Sequence, residues 1–323
     1  MPGNVCWFGG GAGVTGAAFA IRALTSSMLC DERRGQTDIV AAPLDSVRSH
    51  PTLLASMRLV AGLGTFVQHR QRGQVGWVHQ DLAEVPLDQF WGKLEPLPGA
   101  KGRGGVGRLQ VAGRELVVRP YRRGGAFGKL LNDRYSHPAR ARQELEILHQ
   151  LQMEGVPVVA PIAAVAKKGR AFWRLRLCTE WLPDAKTVPA FLAAFPERRR
   201  QTAEAVGLVV RLAFAAGLRH QDLHLDNVLV RPSGDRVRAV LVDLDRARIE
   251  TPMTDRARDT MLVRMQRHLV RHKSRLPAVP SAAETMRFLR GLGLEREPRH
   301  EAWRSLLAKL ERSLQRRSWL RSR

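Results

Sequence analysis

The stretch from His220 to Asp245 constrains this chain more than any other. It begins His220-Gln221-Asp222-Leu223-His224-Leu225-Asp226-Asn227 and passes into the apolar run Val228-Leu229-Val230. Pro232-Ser233-Gly234-Asp235 has the residue types of a tight turn. Ala239-Val240-Leu241-Val242 is a second apolar run, and it ends in Asp243-Leu244-Asp245. The pattern predicts a polar loop, a strand, a hairpin-like turn and a second strand that delivers acids to its end. A bland alternative is a His- and Asp-rich surface loop between unrelated strands. Any one of these residues alone would fit that alternative, but their combination at these offsets is much harder to reach by chance.

Each polar position has a task in phosphoryl transfer. The spacing is His-x-Asp, an Asn five residues after the Asp, and a further Asp after an apolar strand. A carboxylate must orient an attacking hydroxyl and accept its proton, and Asp222 is suited to that. Two oxygen ligands must hold Mg²⁺ against a triphosphate, and Asn227 and Asp243 supply them. This pattern therefore points to a triphosphate held with Mg²⁺.

Composition sets outer bounds. The chain has 323 residues, enough for one two-lobed unit or two domains, and 44% of them are hydrophobic, which allows a substantial core. Charge is the outlier: 53 Lys and Arg against 30 Asp and Glu leave a net +23. That balance favours anionic partners such as a nucleotide, a nucleic acid or an anionic membrane surface, and it is silent about fold. Cys6, Cys30 and Cys178 are scattered and show no metal spacing, so reduced thiols in a cytoplasmic setting are expected. No run approaches the length of a transmembrane helix. Val14 to Leu24 is a poor signal peptide because Arg22 interrupts it and no basic region precedes it.

Read in order, residues 1–50 show weak periodicity around Gly9-Gly10-Gly11-Ala12-Gly13 and are expected to be a poorly ordered extension. A phosphate-binding loop there would need a preceding strand and a Lys-Ser/Thr ending, and it has neither. Met57 is a candidate initiator. Residues 76–98, with Trp77, Phe90, Trp91 and Leu94, read as an apron packed on the lobe that follows. Gly102, Gly104 and Gly105 open a glycine-rich turn into a strand ending at Val111. Ala112-Gly113 turns the chain, and a second strand ends at Arg119. Glycines between strands let backbone amides approach phosphates closely. Tyr121 to Tyr135 is a basic, glycine-containing loop suited to an anion.

Arg140 to Gln152 is a predicted helix, with Leu145, Leu148 and Leu151 on one stripe. Glu144 precedes that stripe and is a candidate partner for Arg119, with Glu146 as its rival. Strands are expected at 162–166 and 171–180. Glu180-Trp181-Leu182-Pro183 then forms a hinge whose backbone, at Glu180 and Leu182, would meet an adenine. From 189 onward the pattern turns helical. Ala203 to Ala216 is capped by Gly217. Met261, Leu262, Met265 and Leu269 line one later helix, and Trp303, Leu306, Leu307, Leu310 and Leu314 another. Arg264, Arg267, Arg271 and Lys273 flank the first of these helices. Arg312, Arg316, Arg317, Arg321 and Arg323 surround the tail of the second. Such basic amphipathic helices pack on a lobe or dock on anionic lipid.

The order of these parts resembles the protein-kinase-like fold and, within it, the lipopolysaccharide kinases that act on 3-deoxy-D-manno-octulosonic acid (Kdo). The carrying residues are GRG at 102–104, LVVRPYRRGGAFGKLLNDRY at 116–135 and RQELEILHQLQMEGVPVVAPIAA at 142–164. TEWLPDA at 179–185, HQDLHLDN at 220–227 and VDLDRAR at 242–248 complete the set. The resemblance spans about residues 85–290. It implies an α+β, two-lobed fold with a small β-rich N-lobe carrying one key helix and a larger, mainly helical C-lobe. The expected divisions are an extension at 1–84, an N-lobe at 85–182 and a C-lobe at 183–323.

The resemblance also implies ATP-dependent phosphorylation of a Kdo hydroxyl on a lipid A precursor, at the cytoplasmic face of the inner membrane and in peripheral contact with it. Asp222 would be the base, Asn227 and Asp243 the Mg²⁺ ligands, and Arg119 with Glu144 would position phosphates. Arg119 stands where kinases carry Lys, His224 replaces the Asn expected of Kdo kinases, and Leu244 replaces the usual Phe. The last two departures bear on the acceptor more than on the reaction. The alternatives are a same-fold kinase for a core heptose, an aminoglycoside-like sugar or a protein, and a non-catalytic basic binder. Nucleic acid is not the expected partner.

Overall fold

Strands rich in Val, Leu and Ala can bury both faces only if something apolar covers each side. That requirement organises the first half of the chain. The computed structural model describes residues 58–59, 64–97, 105–122, 133–276 and 278–319. Expectations for residues 1–57, for Gly102 and Gly104, for the loop at 123–132 and for Arg321 and Arg323 lie outside that range, as do the side chains of Arg316 and Arg317.

An antiparallel sheet is built from β1 (Arg58–Leu59), β2 (Phe66–Gln71), β3 (Gln74–His79), β4 (Glu95–Pro96), β5 (Gly107–Val111), β6 (Arg114–Pro120), β7 (Pro161–Lys168) and β8 (Trp173–Glu180). Its spatial order is β1-β2-β3-β7-β8-β6-β5-β4. β7 is central, and its residues are buried from Pro161 to Ala166. Side-chain alternation sends Trp77, Ala164, Ala166, Leu175 and Leu177 to one face. There α1 (Ala139–Met153) covers them with Leu145, Leu148 and Leu151, the stripe expected from the sequence. Val78, Val118, Ile162, Val165 and Cys178 point to the other face, where Leu82, Leu87 and Phe90 close a second core. Cys178 is a free thiol pushed up to about 12 by burial.

Two expectations are corrected here. The sheet begins upstream of residue 85, because β3 pairs with β7 from Gln74 to Val78. Among the described residues it has eight strands. Trp77 is a strand residue of this sheet rather than part of an apron, whereas Leu87 and Phe90 do form the covering segment. The polar residues of FVQHRQ and the glycine in QVGWVH hid these strands. A Cβ on Gly76 would lie 2.5 Å from Leu87 Cδ2, so a larger residue there would have to displace that buried side chain.

The chain then becomes helical: α2 (Val188–Ala194), α3 (Arg199–Ala215), α4 (Asp255–Arg271), α5 (Ala282–Gly291) and α6 (Arg296–Trp319). The predicted stripes are buried at Met261, Leu262 and Met265 on α4 and at Leu306 and Leu310 on α6. α3 and α5 approach so closely that a Cβ on Gly207 would lie 2.2 Å from the Phe288 carbonyl oxygen. Short strands serve the loops: β9 (Lys186–Thr187), β10 (Leu218–Arg219), β11 (Val228–Ser233), β12 (Arg236–Leu241) and β13 (Arg248–Ile249). β11 and β12 form the expected hairpin, with Ser233 opposite Arg236. The small β-rich part carrying α1 and the larger helical part are the two lobes expected. They join where Val159 N–H donates to the Leu241 carbonyl and Leu241 N–H donates to that of Pro157.

Candidate active site

The hairpin of β11 and β12 holds the polar loop of residues 220–227 against the acids that follow β12, so both reach one end of the C-lobe. His220 is the buried link between them. Its Nδ1 accepts the Asp222 N–H at 2.8 Å, and its Nε2 donates to the Asp243 carbonyl at 2.8 Å. These two partners require the neutral Nε2–H tautomer. Burial also pushes its pKa below the ordinary histidine value, with nearby acids opposing. Asn227 adds a second link, donating from Nδ2 to the Asp222 carbonyl at 3.0 Å. Its own carbonyl accepts the Val242 N–H at 3.0 Å. The loop is thus locked through its main chain, which frees the acidic side chains for other work. The Asp222 carboxylate is 75% exposed and has His224 Nε2 at 3.5 Å.

Asp243 has a φ of 57°. A non-glycine residue in the left-handed region is strained and persists only where its surroundings hold it. The surroundings here are the His220 bond to its carbonyl and, from the other lobe, Arg119, whose Nη1 lies 3.5 Å from Asp243 Oδ1. Arg119 sits at the end of β6, and its Nη2 donates to both oxygens of Glu144 at 2.5 Å. Tyr121 donates its hydroxyl to the same carboxylate at 2.5 Å, and the Arg119 guanidinium lies 4.7 Å from the Tyr121 ring. Burial opposes the Arg119 cation, but Glu144 and Asp243 outweigh it and hold the guanidinium above its ordinary value. Glu144 is the chosen acid. Its rival Glu146 pairs with Arg142 one helical turn away.

A second connection between the lobes was not foreseen. Arg140, one turn before Glu144 on α1, grips Asp245 through Nε at 2.9 Å and through Nη2 at 2.5 Å. Tyr121 and Tyr135 flank that guanidinium at 5.7 Å and 5.5 Å. The signal was present in the i, i+4 spacing of Arg140 and Glu144, which puts both on one helix face. Its partner lies 105 residues away, beyond any local pattern. Leu244, between the two acids, is buried and anchors the turn.

At the expected hinge, Glu180 N–H donates to the Ala160 carbonyl at 2.9 Å and Trp181 N–H to that of Glu115 at 3.1 Å. Leu182 packs against the main core as the chain leaves β8 for β9. Gly105 precedes β5 with a φ of 60° and open space around its α-carbon, as a loop able to approach a ligand requires. The donor set also suits Mg²⁺. With the Asn227 amide nitrogen held by Asp222, its oxygen is the end left to offer, and the Asp243 carboxylate is 44% exposed. Both are hard oxygen donors.

The sequence model of the lipopolysaccharide kinase (Kdo/WaaP) family matches residues 88–291, more than half of the chain. The chain belongs to the lipopolysaccharide kinase family. Among its relatives, the 3-deoxy-D-manno-octulosonic acid kinase of Vibrio parahaemolyticus is 32% identical over 56% of this chain and 79% of that protein. The kinase of the same name from Vibrio cholerae is 31% identical over 54% of this chain and 74% of its own length. The solved structure of WaaP in complex with acyl carrier protein is 21% identical, with a TM-score of 0.48, over 73% of this chain and 91% of that one. As a member of this family the protein is an ATP-dependent kinase. Among the described residues, no helix of this lipopolysaccharide kinase is long and apolar enough to cross a membrane.

Proposed function

We propose that this kinase transfers the γ-phosphoryl group of ATP to a hydroxyl of a Kdo sugar on a lipid A precursor. The acceptor follows from the likeness to the two Vibrio kinases across more than two thirds of their length. The observation that carries the chemistry is the Arg119 bridge. One guanidinium joins Glu144 of α1 to Asp243 of the opposite lobe, while His220 ties Asp243 to Asp222.

In this reading Asp222 orients the acceptor hydroxyl and takes its proton. Asn227 and Asp243 hold Mg²⁺, which when bound neutralises charge on the transferring phosphoryl group. Arg119 faces the phosphates, and Glu144 keeps it aimed. Gly105 lines the phosphate loop, and Gly102 and Gly104 are read as part of it from the sequence alone. The main chain at Glu180 and Leu182 receives the adenine. Arg stays charged and offers two parallel donors, so it serves where Lys is usual.

The enzyme works peripherally at the cytoplasmic face of the inner membrane, where a net charge of +23 favours anionic lipid. Co-sedimentation should be greater with anionic than with neutral vesicles, and equal binding would remove this part of the reading.

A phosphotransfer assay tests the acceptor directly. It offers Kdo-bearing lipid A precursor beside heptose-containing core, with products read by mass spectrometry. A gain of one phosphate on the Kdo sugar is expected. Transfer only to heptose would overturn the acceptor while leaving the reaction class standing.

A further inference from the structure

Behind the catalytic loop lies a cluster that the phosphotransfer reading does not use. His224 replaces the Asn expected in this loop, Asp226 follows two residues later, and His268 comes from α4. One ring nitrogen from each histidine and a carboxylate oxygen of Asp226 all lie within 4.8 Å of one another. His272, the residue that caps α4, is one turn beyond His268, with ring centroids 4.3 Å apart. Asp226, His268 and His272 line a hollow closed by Pro189, Leu269 and Leu276. His224 Nε2 lies 3.5 Å from Asp222, but its Nδ1 is sealed from solvent with no hydrogen-bond partner among the described residues. A buried polar atom without a partner costs roughly 1–3 kcal/mol.

We propose that His224, Asp226 and His268 form a binding site for a divalent transition-metal ion of the Zn²⁺ class, with His272 or water completing the shell. Two imidazoles and a carboxylate are a donor set for Zn²⁺ and its neighbours, and an i, i+4 histidine pair is a common way for a helix to supply ligands. Mg²⁺ prefers oxygen donors, so this site and the Asn227–Asp243 pair select different ions.

The His224 and His268 rings stack at 4.2 Å with an interplanar angle of 11°. Zn–N bonds of about 2.0–2.1 Å put neighbouring ligand nitrogens roughly 3.4 Å apart. Binding therefore tilts the rings out of the parallel stack and draws their nitrogens together. Coordination through Nδ1 would satisfy the sealed atom and leave Nε2–H aimed at the Asp222 carboxylate. That is the carboxylate–histidine–metal arrangement that fixes a ring's tautomer and orientation. The metal would thereby steady the side chain proposed as catalytic base.

The site itself is tested without reference to the kinase reading. Full-length protein is stripped with chelator, dialysed and titrated with ZnCl₂ by calorimetry in excess Mg²⁺. About one Zn²⁺ per chain is expected. His268→Gln and Asp226→Asn should each weaken it by roughly tenfold or more. Unchanged melting curves for the stripped variants establish that they fold. With CoCl₂, the wild type should show ligand-field absorption that His268→Gln loses. No saturable Zn²⁺ uptake would overturn the site, as would equal affinity in His268→Gln, Asp226→Asn and the wild type. The link to Asp222 rests on the kinase reading. Zn²⁺ loading should raise kcat by roughly tenfold or more with the KM for ATP unchanged, and equal kcat with and without metal would overturn that link.

Discussion

Two sets of charges face each other across the lobes and are held by opposite means. On the β6–α1 side, Glu144 is only 3% exposed, and its oxygens are engaged by Arg119 and Tyr121. On the loop side, Asp222 is 75% exposed, and hydrogen bonds to its main-chain N–H and carbonyl hold it in place. A buried charge must be paired through its own side chain, because removing it from water costs several kcal/mol. An exposed charge can be positioned through its backbone, which leaves the carboxylate open to substrate and metal. Under the proposed roles, the first set couples function to stability, and the second separates them.

The sharpest break in that comparison comes from Asp222→Asn. It should lower kcat by about 10³-fold, the scale of a lost general base, while the melting temperature stays within a degree or so of the wild type. A large loss of stability would show that the loop side is not held by its backbone. Glu144→Gln should do both kinds of damage. It leaves the Arg119 cation without its buried partner, so about 3 kcal/mol of stability and about 10²-fold in kcat/KM should go together, read by denaturant unfolding and steady-state kinetics. Activity lost at full stability would contradict the coupling.

Asp245→Asn tests the second connection between the lobes. Arg140 would keep its place over Tyr121 and Tyr135 but lose its ionic grip, and we expect about tenfold in kcat with little change in KM for ATP. Restoration by the reversed pair Arg140→Asp with Asp245→Arg would identify the ion pair itself as the cause.

The smallest effect is that of pH. His220 is neutral in the fold, and burial lowers its pKa below the usual 6.5. The unfolded chain then takes up a proton that the folded one refuses. The stability from this group is complete above about pH 6.5 and is lost as pH falls below it, by up to about 1.4 kcal/mol per pH unit. Buried His69 and half-buried His149 shift in the same direction, so the share of His220 is the difference in slope against His220→Asn. Kinetics should follow, because protonated Nδ1 no longer accepts the Asp222 N–H. A pH profile unchanged in the variant would remove His220 from this role.

Much of this was legible in the chain because it is written in short range. The helix Ala139–Met153, the β11–β12 hairpin and the loop of residues 220–227 follow from 3.6-residue periodicity, turn residues and fixed offsets. Strands β2 and β3 were illegible because their polar residues are tolerated only once α1 and the 80–94 segment cover the sheet around them. His69, for example, is buried in β2, where its sequence neighbours suggest a surface. The role of His220 was half legible: its spacing marked the loop, but the bond to the Asp243 carbonyl exists only when two distant segments meet.

The sequence by itself determined the reaction class, since the residues that the proposed phosphoryl transfer uses, Asp222, Asn227 and Asp243, stand at short offsets on either side of one hairpin. Only the tertiary structure decided which charges pair. Arg119 meets Glu144 across 25 residues, and Arg140 meets Asp245 across 105. Electrostatic pairing depends on distance in space and on burial, and neither is encoded in local spacing.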